Sequence, residues 1–360
     1  MERIFNMHPI LLAFIAGAIG GLVFTLLDLP LSWLLGSMVS VFLINKCTTL
    51  ELAWPSYFRD LGLIIVGYTI GQSFSQKTMI EIFTQLPSML TMTIAIIVFS
   101  MVLAYITSKM TGIGLPSTIT GSIPGGLSQM VALGEEMKSI DLTVVTILQV
   151  IRLLSVIFVV PFLVFSPLLS GEGGGAGTAA RSFEMPALHW EFVLFFTIAV
   201  AAGFLAKKIH LPTATLLGPI LVIGGFMVAE SPVPHMPGLF IILAQLSLGI
   251  YFSFMMNFSS SKTMGKFIMW SLFTSLCLLL YCAGLSFLLS RWHDISFLTA
   301  FISLAPGGMA EMALVGQAVN ADLSIITGYH LFRILFILFI IPATLKGLFR
   351  LSIFQKGRQN

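Results

Sequence analysis

Pro124-Gly125-Gly126, followed by Met130, Gly134, Asp141, Arg152 and Pro161, returns later in the chain. The second copy is Pro306-Gly307-Gly308, followed by Met312, Gly316, Asp322, Arg333 and Pro342. The offset is 182 residues as far as the second glycine-containing position and 181 from the aspartate onward, so one residue is gained or lost between them. Looser matches extend the 182-residue register: Leu29-Pro30 with Leu211-Pro212, Leu34-Leu35-Gly36 with Leu216-Leu217-Gly218, and Gly67 with Gly249. The chain is therefore an internal duplication of nearly its whole length. Paired halves with paired helix-breaking segments point toward a transporter-like architecture when the protein lies in a membrane.

Composition puts it there. The 360 residues are 57% hydrophobic and 9% charged, against ~25% charged in an average soluble domain. Apolar runs recur along the whole chain at about the ~20 residues a bilayer core demands. The net charge of +3 needs no nucleic-acid partner, because the basic residues sit mainly in short loops. Cys47, Cys277 and Cys282 show no disulfide or metal spacing. The first apolar run, from Pro9 to Phe24, has the length of a signal peptide, but its counterpart from Phe192 to Ala206 is plainly an internal span. It is read as a span too.

The expected fold is an all-α polytopic membrane protein of about ten transmembrane helices in two inverted repeats. Spans are expected near 9–27, 31–45, 60–76, 87–108 and 142–166, then near 190–206, 213–229, 239–257, 267–290 and 323–345. Residues 1–166 form the first repeat, 167–189 a Gly-rich linker, 190–347 the second repeat and 348–360 a basic cytoplasmic tail. Between the fourth and fifth spans of each half lies the repeated phrase, 115–138 and 297–319. Proline removes an amide donor there and the glycines add flexible sites, so the segment crosses as a broken helix or dips in and returns. The positive-inside rule favours return. A re-entrant phrase puts 13 Lys and Arg inside against 3 outside, and a crossing phrase gives 10 against 6. Re-entry also leaves an odd number of spans per half, inverts the halves and places both termini in the cytoplasm.

Chemistry-bearing residues gather around the repeated phrase. Backbone freed by Pro-Gly-Gly cannot be satisfied by lipid and must face protein or a water-filled cavity. A half-helix starting there favours an anion at its N-terminus. Pro124, Gly125, Gly126 and Gln129 of one copy, with Pro306, Gly307, Gly308 and Glu311 of the other, are candidate solute-binding positions. The structural alternative is close helix packing at the glycines. Arg152 and Arg333 lie about three helical turns after Asp141 and Asp322. A central arginine costs at least ~2.5 kcal/mol on insertion scales, so it must face protein, water or a partner. With Gln149 and His330 three positions earlier, each closing span carries one polar stripe. Either the guanidinium holds an anionic group such as a carboxylate, or it ties down carbonyls freed by the break. Glu311, His330, Asp141 and Asp322 are candidate coupling residues for H⁺ or Na⁺, with an ion pair to an arginine as the structural alternative for Glu311. Pro30 and Pro212 are expected to open the second span of each half. No metal spacing, phosphate loop or catalytic dyad is visible, so no cofactor and no enzymatic activity are expected.

The paired phrases Ser122-Ile123-Pro124-Gly125-Gly126 … Asp141 … Arg152 and Ala305-Pro306-Gly307-Gly308 … Asn320-Ala321-Asp322 … Arg333, with Leu-Pro-x-x-x-Leu-Leu-Gly in each half, resemble the AbrB-type membrane protein family, which is defined by this duplication. The resemblance covers essentially the whole chain and implies a bacterial inner membrane. What it implies for function is divided between regulation of gene expression, an ammonia monooxygenase, and membrane residence alone. The architecture is also similar to that of the cation/proton antiporter and anion transporter superfamily, by analogy only. The leading expectation is a secondary transporter or exporter of a small, anionic organic solute. The alternative is a membrane regulator or sensor acting indirectly, since no soluble basic domain exists to bind DNA. A monooxygenase-like enzyme ranks last, because no metal or redox ligand set is visible. Lipid and a small solute are the expected partners, nucleic acid is not, and a homo-oligomer is open.

Overall fold

The computed structural model describes residues 7–125, 130, 140–166, 190–211, 213–256 and 262–350. Every regular element among them is an α-helix. The first half contains α1 (Met7–Leu26), α2 (Ser32–Cys47), α3 (Ser56–Gly71), α4 (Gln76–Thr84), α5 (Leu86–Thr111), α6 (Leu115–Ser122) and α7 (Leu142–Val164). The second contains α8 (Trp190–Lys208), α9 (Ala214–Val228), α10 (Gly238–Met255), α11 (Lys262–His293), α12 (Phe297–Leu304), α13 (Met309–Ala318) and α14 (Leu323–Arg350).

Seven of these helices are long and apolar enough to cross a bilayer: α1, α5, α7, α8, α10, α11 and α14. The chain is an all-helical membrane protein. Three of the ten expected spans are shorter. Helices α2, α3 and α9 have 16, 16 and 15 residues, or about 22–24 Å at 1.5 Å per residue, against a hydrocarbon core of about 30 Å. Helix α3 also begins four residues before its expected start and ends five before its expected end. Helices α4 and α5 are separate, whereas their counterpart α11 runs unbroken for 32 residues. Pro87 stands in the first turn of α5, where a missing N–H costs nothing. The equivalent position in α11 is Met269, which lets that helix continue. Pro30 does not open α2. It lies two residues upstream, and left-handed Leu31 precedes the first helical residue, Ser32.

The duplication is written into the backbone. Asp28 and His210, Leu31 and Thr213, and Gly112 and Asp294 all have positive φ, and each pair is 182 residues apart. These are the sharp turns after α1 and α8, before α2 and α9, and after α5 and α11. Non-glycine residues rarely adopt this region, so its recurrence at one offset reflects a common local fold.

The helices form two compact units, each drawing on both halves. The first is built on α1–α3 and α8–α10. Its helices meet at small residues, as expected where lipid removes the hydrophobic drive between helices. A Cβ on Gly36 of α2 would strike the carbonyl of Gly20 in α1, and one on Gly218 of α9 would strike the carbonyl of Ala202 in α8. Gly67 of α3 abuts Leu216 and Pro219 of α9, while Gly249 of α10 abuts Leu34 and Ser37 of α2. All four partnerships repeat at the 182-residue offset, so each half packs a helix against the other half in the same manner. The opposite side of α1 carries Leu11, Ile15, Ile19, Leu22 and Leu26, all exposed. Their spacing of three to four residues makes an apolar stripe suited to lipid. Asp60, Arg59 and Lys207 form a polar clamp in this unit, with the Arg59 guanidinium 4.9 Å above the Tyr251 ring.

The second unit holds α5–α7, α11, α12, the start of α13 and most of α14. The second repeated phrase is a broken helix: α12 ends at Leu304 and α13 begins at Met309. In the first copy α6 ends at Ser122, with Ile123 and Ala305 leaving the helix at nearly the same extended angles. The continuation of the first copy, including Gly126 and Gln129, lies outside the described residues. So do the Gly-rich linker 167–189 and residues 351–360 of the tail. Helix α14 runs past the expected repeat boundary at 347 to Arg350.

Two substitutions on one helix separate contact from propensity. Gly218→Ala is expected to destabilise the detergent-purified protein by about 1–3 kcal/mol, the usual cost of overpacking. Gly225→Ala, whose Cβ would meet nothing within 4 Å, is expected to be neutral or to stabilise by up to ~1 kcal/mol. Thermal unfolding of the two variants beside the parent reads both.

Candidate functional site

Each closing helix delivers an arginine to a helix break. Arg152 of α7 is 7% exposed and Arg333 of α14 is 3% exposed. Arg152 donates from Nη1 to the Ile123 carbonyl at 2.9 Å and from Nη2 to the Gly125 carbonyl at 3.2 Å. Its Nε donates to the Pro306 carbonyl at 3.2 Å, so one side chain ties both copies of the phrase. Arg333 donates from Nη1 to the carbonyls of Leu304 and Ala305 at 3.2 and 3.0 Å, and from Nη2 to that of Gly307 at 3.3 Å. The carbonyls orphaned by each Pro-Gly-Gly are thus satisfied by a charged donor, which forms stronger bonds than a neutral one. Arg333 Nε is buried without a hydrogen-bond partner.

Gln149 and His330 do the same work in the two copies. Gln149 donates its amide to the Ile123 carbonyl at 2.9 Å and accepts from Arg152 Nη2 at 2.7 Å. His330 Nδ1 lies 2.8 Å from Arg333 Nη2, and Nε2 lies 3.0 Å from the Ile302 carbonyl. An arginine can only donate and a carbonyl can only accept. The geometry therefore selects the neutral tautomer with hydrogen on Nε2. A second proton on Nδ1 would break the bond to Arg333.

The two breaks meet opposite closing helices reciprocally. A Cβ on Gly125 would lie 3.1 Å from Ile337 of α14, four residues after Arg333. A Cβ on Gly307 would lie 2.9 Å from Val156 of α7, four residues after Arg152. Each also crowds the following methionine, Met130 or Met312. None of Gly125, Gly307 and Gly308 has a positive φ. Glycine serves here for close approach rather than for an unusual backbone.

Glu311 stands in the first turn of α13, 6% exposed, with its Oε2 in the place a Cβ on Gly308 would need. The ion pairs found among the described residues involve neither Glu311 nor the two arginines. The alternative of a Glu311–arginine pair is not what the structure holds. The aspartates stay at the helix starts. Asp141 accepts from the backbone N–H of Thr143 at 2.8 Å and Asp322 from that of Ser324 at 2.9 Å, as N-caps do. Arg152 lies about 16 Å further along α7, and Arg333 about as far along α14. Among the described residues no group of three His, Cys, Asp or Glu side chains is gathered closely enough to hold a metal ion.

One feature of the site has no counterpart in the sequence reading. Ser100, Ser122, Arg152, Thr274 and Ser275 line a cavity of about 20 Å³, closed by leucines from α5, α7 and α11. These residues come from four helices, and only Ser122 and Arg152 belong to the repeated phrase. Only the helical spacing of Ser271, Thr274 and Ser275, three and four residues apart, hints at a polar face on α11.

The geometry predicts unequal effects of conservative changes. Arg152→Lys loses the forked donors and is expected to destabilise by about 2–4 kcal/mol, because a single ammonium cannot serve carbonyls in two segments. His330→Gln is expected to fall within about 1 kcal/mol of the parent, since Gln149 already performs that role with the same chemistry. Chemical denaturation in detergent, followed by intrinsic tryptophan fluorescence, checks both.

A model of the family described as Transition state regulatory protein AbrB matches residues 33–349. The Escherichia coli (strain K12) protein named "Putative regulator AbrB" is 23% identical over 325 residues, covering 89% of this chain and 90% of its own length. The Bacillus subtilis (strain 168) protein named "Uncharacterized protein YhjN" is 23% identical over 366 residues, covering 95% and 94%. With the duplicated phrase, its paired arginines and a family match over most of its length, the chain belongs to the AbrB family of membrane proteins.

Proposed function

We propose that this protein is a secondary transporter or exporter of a small anionic organic solute, working by alternating access in a bacterial inner membrane. The observation that carries the reading is the interrupted helix at the second phrase and the matching helix end at the first, each with carbonyls held by a buried arginine. Discontinuous helices inside a membrane bundle are tolerated where they line a cavity, and they form substrate and ion sites in transporters. The reciprocal contacts of Gly125 with Ile337 and Gly307 with Val156 support two repeats meeting at these breaks; their inversion, re-entrant segments, ten spans and cytoplasmic termini are part of the same proposal and rest on the charge distribution. The arginines add two positive charges with no acidic partner among the described residues, which favours an anion nearby.

In this reading the arginines hold the breaks in shape and offer positive charge to the solute, and the solute site is formed with the segments Pro124–Gly126 and Pro306–Gly308, with Gln129 following the first. Glu311 is the coupling group: a buried carboxylate beside the second break that no described cation neutralises. His330 is a poorer carrier, because both its nitrogens are engaged. The aspartates act as helix caps. No cofactor, enzymatic step or nucleic-acid partner enters the scheme.

A second reading, an indirect regulator or sensor, draws on the regulatory names of the matched family and of the Escherichia coli relative. It requires a cytoplasmic partner, and specific co-purification of one would favour it.

Uptake of radiolabelled small carboxylates into proteoliposomes under an imposed pH gradient tests transport directly. The parent is expected to accumulate at least one carboxylate well above protein-free vesicles. Glu311→Gln is expected to retain solute exchange while losing its response to the gradient. No accumulation of any carboxylate in either direction would remove the transport reading. A gradient response that survives in Glu311→Gln would remove the coupling role.

A further inference from the structure

Duplication supplies an internal control, because each residue has an equivalent in the other half. The cavity beside Arg152 can be compared with the same place beside Arg333. At the offset of 182 residues, Ser100 corresponds to Cys282, Ser122 to Leu304, Thr274 to Met92 and Ser275 to Thr93. The register holds through these helices, since Gly112 and Asp294 after α5 and α11 repeat the same left-handed turn.

The two places differ in chemistry. Met92, Cys282 and Leu304 belong to one buried apolar cluster with Ile96, Leu278 and Tyr329. On that side three of the four equivalents are hydrocarbon or thiol, and Thr93 alone keeps a hydroxyl. On the Arg152 side the equivalent positions carry hydroxyls around a cavity of about 20 Å³, enough for a water molecule. Packing alone does not call for the hydroxyls of Ser100, Ser122 and Thr274, since their mates Cys282, Leu304 and Met92 hold the same helices together without them.

Their hydrogen bonds show what the cavity offers. Ser100 donates to the Ile97 carbonyl at 2.8 Å, Thr274 to that of Trp270 at 3.0 Å, and Ser275 to that of Ser271 at 2.8 Å. With its one proton directed into its own helix, each hydroxyl leaves oxygen lone pairs for a ligand. Ser100, Arg152, Thr274 and Ser275 are each at least nine-tenths buried. Arg152 brings a positive charge, and its four bonds leave one Nη1 N–H free.

We infer that this hydroxyl-lined cavity is the solute-recognition pocket in a contracted form, and that its ligand is a small carboxylate bearing a hydroxyl or amino donor. The carboxylate faces Arg152, and the donor group meets the oxygens of Ser100, Thr274 and Ser275. The assignment rests on the transport reading and narrows it to one pocket and one class of solute. The Arg333 side is the more closely packed counterpart.

The test uses the residues of the other half as substitutions already compatible with the fold. Thr274→Met and Ser100→Cys each install the equivalent residue, and Ser275→Ala removes one acceptor with little change in volume. Thermal stabilisation of the full-length, detergent-purified protein is titrated with glycolate, L-serine and acetate, beside proteoliposome uptake of the same compounds. Glycolate or L-serine is expected to stabilise the parent at lower concentration than acetate, which lacks the donor. Thr274→Met is expected to keep the ligand-free melting temperature and to bind about tenfold more weakly or worse, with Ser275→Ala intermediate. Unchanged affinity in both Thr274→Met and Ser275→Ala would place the pocket elsewhere while uptake by the parent upheld transport. Acetate binding as well as glycolate would overturn the ligand class. Absence of both binding and uptake in the parent would overturn the transport reading and this assignment together.

Discussion

The bond between a buried guanidinium and the carbonyls of an interrupted helix is the constraint on which the second unit depends. Interrupting a helix inside a bilayer frees backbone groups that lipid cannot satisfy, at several kcal/mol each. An arginine in the same place is costly for the opposite reason. Together each cost is largely offset, because Arg152 and Arg333 each place several N–H groups on carbonyls near a break. The planar fork of arginine suits this work. It reaches several acceptors spaced along an extended backbone, which a lysine ammonium does not.

Much of this is legible in the sequence, and the reasons for the exceptions are physical. The duplication and the long apolar helices follow from recurrence and composition. The break at Ala305–Gly308 follows from proline and glycine in the middle of an apolar segment. The sequence leaves two roles open for the arginines. Three-dimensional proximity is what selects the carbonyl brace, since Ile123 and Leu304 are 29 residues from their arginines. The glycines of the repeated phrase read either as flexible sites or as points of close helix packing, and Gly125 and Gly307 are places where another helix comes close. The aspartates read as members of a polar stripe although each stands one residue before the expected span starts at 142 and 323; the bonds to Thr143 and Ser324 are what identify them as caps. Pro30 reads as a helix opener but belongs to the preceding turn, where the left-handed Leu31 delays the start. The hydroxyl cavity is invisible in one dimension because its lining is drawn from four helices far apart in the chain.

Repetition followed by divergence runs through both units. The first unit preserves the repeat in its helix crossings, where Gly36 and Gly218, or Gly67 and Gly249, perform the same task twice. The second unit preserves the arginines but not their surroundings. Gln149 and His330 are chemically different groups in one role, so divergence there leaves the brace intact. Ser100 and Cys282 are different groups in different surroundings, one on a polar cavity and one in an apolar core. Under the proposed transport reading, a repeated scaffold with a polar cavity beside one of its two arginines gives a solute a single place to bind.

Cysteine cross-linking in native membranes tests the brace geometry most directly. In a cysteine-free background, Val156→Cys is paired with Gly307→Cys, and Ile337→Cys with Gly125→Cys. The contacts at these positions lie within reach of the ~3.5–4.5 Å Cβ separation a disulfide requires. Both pairs are expected to cross-link under mild oxidation, while the exchanged pairs, Val156 with Gly125 and Ile337 with Gly307, are expected not to. Cross-linking of the exchanged pairs, or of none, would contradict reciprocal seating of the two breaks and the account built upon it.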